Sequence, residues 1–301
     1  MSDSTRRQFL RTTFAAGLGA AAATRLGAIE PIKREAKSSH IKLSLAAYSF
    51  NRFMALKGKT KPTMTMYDFV DFAVGIGLDA IEPTAYYFPE TTREYFTKFR
   101  ARCTRLGLDV SGTAIGNDFC KADPAELRKQ IESTKHWIEY ASWIGAKTIR
   151  IFGGTVAKGD DEAKALARCV ESIEEVCEYA GKYGIYLALE NHGGITATPE
   201  KMSRIITAVK SPWFGVNLDT GNFNTPDPYA DLAKIAPYAV VVQLKTEVHP
   251  RGKPKEEADL KRLIDILRAV NYRGYVALEY EAAEDPRTAV PKAIEALRKV
   301  I

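Results

Sequence analysis

The sequence predicts an α/β fold, a single closed (β/α)8 TIM barrel preceded by a cleavable signal segment. From residue 41 onward, short apolar runs rich in β-branched residues alternate with longer stretches of helical periodicity, in eight strand-plus-helix units. The hydrophobic share of 46% is enough for a large core, and barrels of this kind reach such lengths as one domain. The predicted strands are residues 41–48, 79–83, 108–114, 147–152, 185–190, 214–219, 239–245 and 275–280.

The helices between these strands carry start and stop signals. Four begin with a capping residue followed by proline, because a side-chain oxygen satisfies a free helical N–H group and proline lacks one at the first helical position. Several end at glycine just before the next strand, as at Gly145. The four capped starts are Asp123-Pro124, Thr198-Pro199, Asp227-Pro228 and Asp285-Pro286.

An open, doubly wound sheet is the alternative to a barrel. A sheet of that kind that binds a dinucleotide carries a glycine-rich turn after its first strand, whereas the residues after Ser49 read FNRF. Polar residues also end at least five of the predicted strands, including Glu82 and Arg150, which suits a site ringed by strand ends. The sequence therefore favours a barrel as one domain over residues 41–301.

The first 28 residues have the pattern of a twin-arginine signal peptide. The motif RRQFL at residues 6–10 is followed by an apolar, small-residue segment over residues 12–23, with a cleavage site at the alanines 21–23. A frayed amphipathic helix and an organellar transit peptide are the alternatives, and the segment is too short for a membrane span. We expect the twin-arginine translocase to export the protein to the periplasm, with residues 29–40 as a flexible connector.

Charge and cysteine content argue against other classes of protein. The net charge is +6, but without residues 1–28 it is about +3, and no stripe of basic residues interleaves with aromatic ones, so no nucleic-acid partner is expected. No membrane association is expected once the signal is removed. The four cysteines include no Cys-x-x-Cys pair, which indicates buried, unpaired thiols rather than disulfides.

Four apolar strands in the second half of the chain end in groups that can bind metal or move protons, namely Glu190, Asp219, Gln243 and Glu279. Because a strand has period two, each shares its side with a second polar residue. Those neighbours are, in the same order, His192, Asn217, Lys245 and Glu281. If the strands are parallel neighbours, these side chains meet at one point. An oxygen-rich cluster is costly to desolvate unless a cation or substrate completes it, so the sequence predicts a divalent-metal site.

Each of these residues also has a simpler interpretation. Glu190 could be a solvated carboxylate, Asp219 could form a turn, and Gln243 could hydrogen-bond substrate instead of binding metal. His192 could shuttle protons or bind a sugar hydroxyl, but it could also only cap local backbone. Lys245 could stabilise an enolate or pair with a glutamate.

Four further residues are candidates for substrate binding, namely Glu82, Arg150, Asn217 and His249. Glu82 and Arg150 lie near the ends of two other predicted strands, Asn217 lies on the strand of Asp219, and His249 follows the strand of Gln243. For Arg150 the alternative is a structural bridge between the carboxylates.

The order and spacing of Glu190, Asp219, Gln243 and Glu279 make residues 41–301 resemble the xylose isomerase-like barrel superfamily of sugar isomerases and epimerases. The resemblance implies that these four residues hold one divalent ion, Mn²⁺ or Mg²⁺ first and Zn²⁺ or Co²⁺ as further candidates. It also implies that the ion binds a ketone and its neighbouring hydroxyl, with Glu190 and Glu279 as proton-transfer groups. This chain departs from the family where histidine is often found, at Gln243 and at Asn222.

The expected function is a metal-dependent sugar isomerase or epimerase that removes a proton α to a metal-bound carbonyl of a small sugar or keto-sugar. Its catalytic residues would be Glu190, Glu279, His192 and Lys245. The alternatives are a metal-dependent lyase that cleaves 3-keto-glycosides by β-elimination, and a non-catalytic sugar-binding barrel. A phosphodiester hydrolase of the apurinic endonuclease type is disfavoured, because its metal cluster needs more histidines than the four in this chain. A homo-oligomer is compatible with the sequence.

Overall fold

The computed structural model describes residues 29–35, 38–57 and 61–301. Within these residues parallel strands alternate with helices and form one nearly closed barrel, which confirms the predicted fold class. The strands are β1 (His40–Ala46), β2 (Ala80–Glu82), β3 (Asp109–Val110), β4 (Thr113–Ala114), β5 (Thr148–Ile151), β6 (Tyr186–Glu190), β7 (Phe214–Asp219), β8 (Ala239–Leu244), β9 (Glu247–Val248), β10 (Glu256–Glu257) and β11 (Arg273–Leu278).

The helices lie outside the barrel, and the four predicted caps are confirmed. Asp123, for example, accepts a hydrogen bond from the backbone N–H of Glu126, and the following proline opens the helix. This helix ends at Gly145, whose φ of 81° is the left-handed conformation that favours glycine. The helices are α1 (Asn51–Met54), α2 (Met66–Gly75), α3 (Arg93–Arg105), α4 (Pro124–Ile144), α5 (Glu162–Gly181), α6 (Pro199–Ile206), α7 (Pro228–Ile235), α8 (Leu260–Ala269) and α9 (Pro286–Arg298), with 3-10 turns at Ala47–Phe50, Ala85–Tyr87, Gly194–Thr196 and Ala236–Tyr238.

The third strand of the barrel, predicted as residues 108–114, is interrupted. Its first half, β3, pairs with β2 and its second half, β4, pairs with β5, so the ring of strands continues through both pieces. Between them Gly112 packs so closely on Thr148 that a Cβ atom would lie 2.4 Å from its Oγ1. Ser111 hydrogen-bonds Ser44 inside the barrel at 2.8 Å. The N–H of Ser111 still donates to the carbonyl of Ile81 on β2 at 2.9 Å, so the interruption is short.

Two other details differ from the sequence prediction. The first strand ends at Ala46, because residues 47–50 turn into a 3-10 helix in which Ser49 accepts a hydrogen bond from the N–H of Tyr280. The loop after β8 also contains a short antiparallel hairpin, β9 with β10, which pairs Val248 with Glu256. Strands of two residues are too short to leave a periodic pattern, so the sequence shows no sign of them.

The core lies inside the barrel and between the barrel and its helices. It includes large side chains that are almost completely buried, such as Phe69, Phe96 and Tyr272. All four cysteines are unpaired and buried, as expected. Among the described residues no helix is both long and apolar enough to span a bilayer.

Residues 29–35 lie against the amino-terminal face of the barrel. The backbone N–H of Ile32 donates to the carbonyl of Pro237 at 3.0 Å, and Arg34 donates to the carbonyl of Ala239 at 2.6 Å. The Arg34 guanidinium also lies over the Tyr272 ring, with its Cζ 5.3 Å from the centroid. The flexibility of residues 29–40 and the domain boundaries stay predictions. The predicted signal peptide and its cleavage site lie outside the described residues, so export stays a prediction too.

Candidate active site

The four residues predicted as metal ligands come together at the carboxyl end of the barrel. β6, β7, β8 and β11 are consecutive neighbours, and their parallel register places Asp219 opposite Gln243. Glu190 ends β6, and Glu279 follows β11, where its N–H donates to the carbonyl of Leu244 at 2.8 Å. All four side chains are buried. We call the carboxylates gathered here the acidic cluster: Glu82, Glu190, Asp219, Glu279 and Glu281.

Lys245 is the main counter-ion of the acidic cluster. Its Nζ lies 2.6 Å from Glu281, 3.3 Å from Glu279 and 3.5 Å from Oδ2 of Asp219. Burial works against the charged ammonium, but these carboxylates outweigh it and hold the pKa of Lys245 above its ordinary value. The predicted pairing with a glutamate is therefore present in the structure.

Glu190 is held by two neighbours, one on each oxygen. The amide nitrogen of Asn222 donates to Oε1 at 2.7 Å. Nε of Arg150 lies 2.8 Å from Oε2 without the alignment of a hydrogen bond, so this contact is an ion pair. Burial raises the pKa of Glu190 to about 7, and Arg150 offsets only part of this effect. Glu190 is thus a buried carboxyl group that can exchange a proton near neutral pH.

Gln243 is the centre of a chain of buried hydrogen bonds. Its Nε2 donates to Glu82 at 2.6 Å, and its Oε1 accepts from the Nδ2 of Asn217, also at 2.6 Å. Burial raises the pKa of Glu82 to about 7, and Glu279 adds to this effect. Because both polar atoms of Gln243 have protein partners, its carbonyl oxygen is directed to Asn217. These hydrogen bonds hold Glu82 and Asn217 in the protein interior. Their roles in substrate binding stay predictions.

Asp219 uses one carboxylate oxygen locally and leaves the other without a hydrogen bond. Oδ1 accepts from the N–H of Gly221 at 2.8 Å, which is the turn foreseen as its alternative role. Asn191 fixes the backbone of Asp219 by hydrogen bonds in both directions, each of 2.9 Å. Oδ2 is buried with no hydrogen-bond partner among the described residues. A buried carboxylate oxygen of this kind is available to a cation.

The donor chemistry of the site fits a hard divalent ion. Among the described residues, the five carboxyl groups face two basic side chains, Arg150 and Lys245, and the predicted ligands all offer oxygen atoms. The side chains do not enclose an ion as they stand. Within residues 29–35, 38–57 and 61–301, no group of three His, Cys, Asp or Glu residues is placed to hold a metal. Lys245 already contacts Asp219 and Glu279, and the carbonyl oxygen of Gln243 accepts a hydrogen bond from Asn217.

The two histidines predicted at the site lie at its mouth. The ring of His192 lies tilted against that of Phe152, with centroids 4.3 Å apart, and the backbone N–H of His192 donates to Thr196. Partial burial, with Arg150 as the second cause, lowers the pKa of His192. His249 lies farther out, beyond β9, and its carbonyl accepts from Asn224. Their functional roles stay predictions.

Sequence analysis did not assign roles to two residues that shape the site. Asn191 positions Asp219, and Asn222 was noted only as a departure from a family pattern although it contacts Glu190. Asn191 directly follows Glu190 and therefore points to the opposite side of the strand from the predicted ligands, so the sequence pattern did not single it out. For Asn222, its position three residues after Asp219 was the signal that could have indicated a role at the site.

A larger cleft, of about 700 Å³, lies at the opposite end of the barrel, between residues 29–35 and the starts of β5 to β8. Its one acidic lining residue is Glu30. Barrels of this class carry their active sites at the carboxyl ends of the strands. The acidic cluster is therefore the better candidate despite its smaller cleft.

Comparison with known proteins supports the resemblance seen in the sequence. The family model described as "Xylose isomerase-like TIM barrel" matches residues 70–300. No relative is found among curated protein sequences.

Several solved structures share the fold at low sequence identity. A D-psicose 3-epimerase solved in the presence of D-fructose has a TM-score of 0.72 and 16% identity, covering 86% of this chain and 99% of its own. An L-ribulose 3-epimerase has a TM-score of 0.66 and 18% identity, covering 84% and 86%. The IolI protein, solved with a bound zinc atom, has a TM-score of 0.68 and 18% identity, covering 86% and 96%. At these identities the likeness shows the fold.

Proposed function

The chain belongs to the xylose isomerase-like TIM barrel family, and we propose that it is a sugar isomerase or epimerase that moves a proton on the carbon next to a carbonyl. The observation that carries the proposal is that two buried glutamates, Glu190 and Glu279, lie at the carboxyl end of the barrel, each beside a buried basic side chain, Arg150 and Lys245 respectively. The sugar epimerases among its structural neighbours support the same class of substrate.

Glu190 is suited to take or return the proton. A general base works best when its pKa lies near the working pH, and burial brings Glu190 to about 7. Arg150 and Asn222 fix the direction of its carboxyl group. Glu279 is the second proton-transfer group. Return of the proton to the opposite face of the same carbon gives epimerisation, and return to the neighbouring carbon gives isomerisation.

Lys245 is suited to stabilise the negative charge that develops on the substrate oxygen. Its ammonium is buried, held charged by Asp219, Glu279 and Glu281, and requires little reorganisation. His192 at the mouth supplies a further group for hydroxyls of the sugar.

A divalent metal ion is the cofactor we propose, with Mn²⁺ or Mg²⁺ favoured by the oxygen donors and Zn²⁺ or Co²⁺ as further candidates. Glu190, Asp219, Gln243 and Glu279 would hold it. When bound, it would polarise the carbonyl and share the charge of the enediolate. The zinc atom in the IolI structure supports a metal in this fold. We further propose that the protein works in the periplasm after twin-arginine export.

The experiment is hydrogen exchange in D₂O, followed by NMR on a ketose such as D-fructose with metal-loaded protein. Glu190→Gln and Glu279→Gln should each abolish incorporation of deuterium next to the carbonyl, while circular dichroism stays unchanged. Glu171→Gln, on the exposed face of α5, is the matched control. Exchange at wild-type rate in both site variants would refute their proton-transfer roles. Asp219→Asn should lower the metal content found by elemental analysis.

A lyase that cleaves 3-keto-glycosides is the second candidate. It uses the same proton abstraction, followed by loss of the substituent on the β carbon. The polar cleft beside Lys245 and Glu281 favours it, because it leaves room for a substituent on the reacting sugar.

A further inference from the structure

A polar cleft of about 240 Å³ opens next to the acidic cluster, between the loop after β7 and the loop that carries β9 and β10. Its inner wall includes Asn222, Lys245 and Glu281, and its outer wall includes Asn224, His249 and Lys255. The cleft therefore lies outside the proton-transfer groups, on one side of the mouth.

The inner wall of this cleft is shared with the proposed reaction site. Asn222 donates to Glu190 at 2.7 Å, and Lys245 lies 3.3 Å from Glu279. A sugar whose reacting carbon lies between the two glutamates thus adjoins the cleft directly. A substituent on that sugar would then lie next to the cleft residues Asn222 and Lys245.

The charges in the cleft are balanced. Lys245 is paired with Glu281 at 2.6 Å, and Lys255 lies 3.8 Å from Glu247. A phosphate or carboxylate group would have to compete with these glutamates for each lysine, so the cleft is poorly suited to an anion. What remains is a mixture of donors and acceptors from amides, an imidazole and charged groups, which matches the hydroxyls of a neutral sugar.

We propose that this cleft binds a second, neutral, hydroxyl-bearing unit of the substrate. The substrate class is then a keto-sugar that carries a glycosidic substituent, such as a disaccharide, and not a free monosaccharide or a sugar phosphate. The inference rests on the proposed function, because it assumes that the reacting sugar lies at Glu190 and Glu279.

The test compares three ketoses that share one reacting unit: D-fructose, lactulose, which adds a neutral galactosyl unit, and fructose 6-phosphate. Binding is measured by calorimetry on the metal-loaded protein, and deuterium exchange is recorded for each. We expect lactulose to bind about tenfold more tightly than D-fructose, as a few added hydrogen bonds allow. Fructose 6-phosphate should show no gain.

Substitutions test whether the gain in lactulose affinity arises in the cleft. Lys255→Met and His249→Ala should reduce the ratio of lactulose affinity to fructose affinity to near one. Lys253→Met, an exposed residue of the same loop that does not line the cleft, should leave the ratio unchanged.

The two proposals fail in different ways. If D-fructose binds and exchanges but lactulose binds no better, or if fructose 6-phosphate binds best, the second-unit site is wrong and the proposed function stands. If none of the three ketoses binds or exchanges deuterium, the proposed function fails, and this inference falls with it. A lactulose advantage that persists in both cleft variants would place the second unit elsewhere and overturn the assignment.

Discussion

Replacing Lys245 with methionine tests whether this side chain competes with a metal ion for the acidic cluster. Methionine keeps the length of the lysine stem and removes the ammonium group, with its charge and its hydrogen bonds to Glu279 and Glu281. In the structure the ammonium contacts Asp219, Glu279 and Glu281. Without the ammonium group, these three carboxylates lose their shared counter-ion in the metal-free protein. A divalent ion that binds them is then not repelled by the charge of Lys245.

The size of the effect follows from the distances. At an effective dielectric constant of about 20, unit charges 3.3 to 3.5 Å apart interact by about 5 kcal/mol. The net cost of removing one partner of a buried ion pair is smaller, about 3 to 5 kcal/mol, and that is the expected loss in the free energy of unfolding without metal. Relief of repulsion amounting to only about 1.4 kcal/mol would already tighten Mn²⁺ binding tenfold.

The assay combines urea denaturation with calorimetric titration of Mn²⁺, both on protein stripped of metal. We expect Lys245→Met to be less stable than wild type without Mn²⁺, to bind Mn²⁺ at least about tenfold more tightly, and to be stabilised more by it. Lys253→Met, which removes an exposed lysine from the loop after β8, is the control and should change neither property. A variant that binds Mn²⁺ no better than wild type would refute the reasoning, since Lys245 would then not share the ion's ligands.

Three further predictions concern stability and location. Because burial raises the pKa of Glu82 from 4.5 to about 7, the folded metal-free protein holds a proton that the unfolded chain releases, and stability should fall as pH rises through this window. Glu82→Gln should flatten that fall by up to about 1.4 kcal/mol per pH unit in urea denaturation, and identical slopes would contradict it. Arg150→Met should cost about 3 to 5 kcal/mol of unfolding free energy, because Glu190 loses its only cationic contact within hydrogen-bonding range among the described residues; a loss below about 1 kcal/mol would show the pair to be unimportant. Changing Arg6 and Arg7 to lysine should keep the protein in the cytoplasm on cell fractionation, and unchanged export would exclude the twin-arginine route.

The barrel and the positions of its polar strand ends could be predicted from sequence because both depend on local periodicity. A period of two places Glu190 and Asp219 at the ends of inward-facing rows, and parallel neighbours bring such ends together. The interruption at Gly112 could not be predicted in this way, since it depends on contact with Thr148 on the next strand.

The detailed contacts within the acidic cluster were also beyond sequence analysis. The orientation of Gln243 depends on Glu82, which lies 161 residues away in the chain. Lys245 was assigned two alternative roles, because its long side chain can reach several strand ends and only the packed structure selects among them. The sequence thus specified which residues gather at the site, whereas tertiary packing determined which of them touch.

The attachment of residues 29–35 to the amino-terminal face has a practical consequence. Arg34 bonds to the start of β8, a full strand length from Gln243 at the other end. Protein immobilised through a tag placed before Ile29 would consequently be attached at the amino-terminal face of the barrel. Its active-site end would then face the bulk solution.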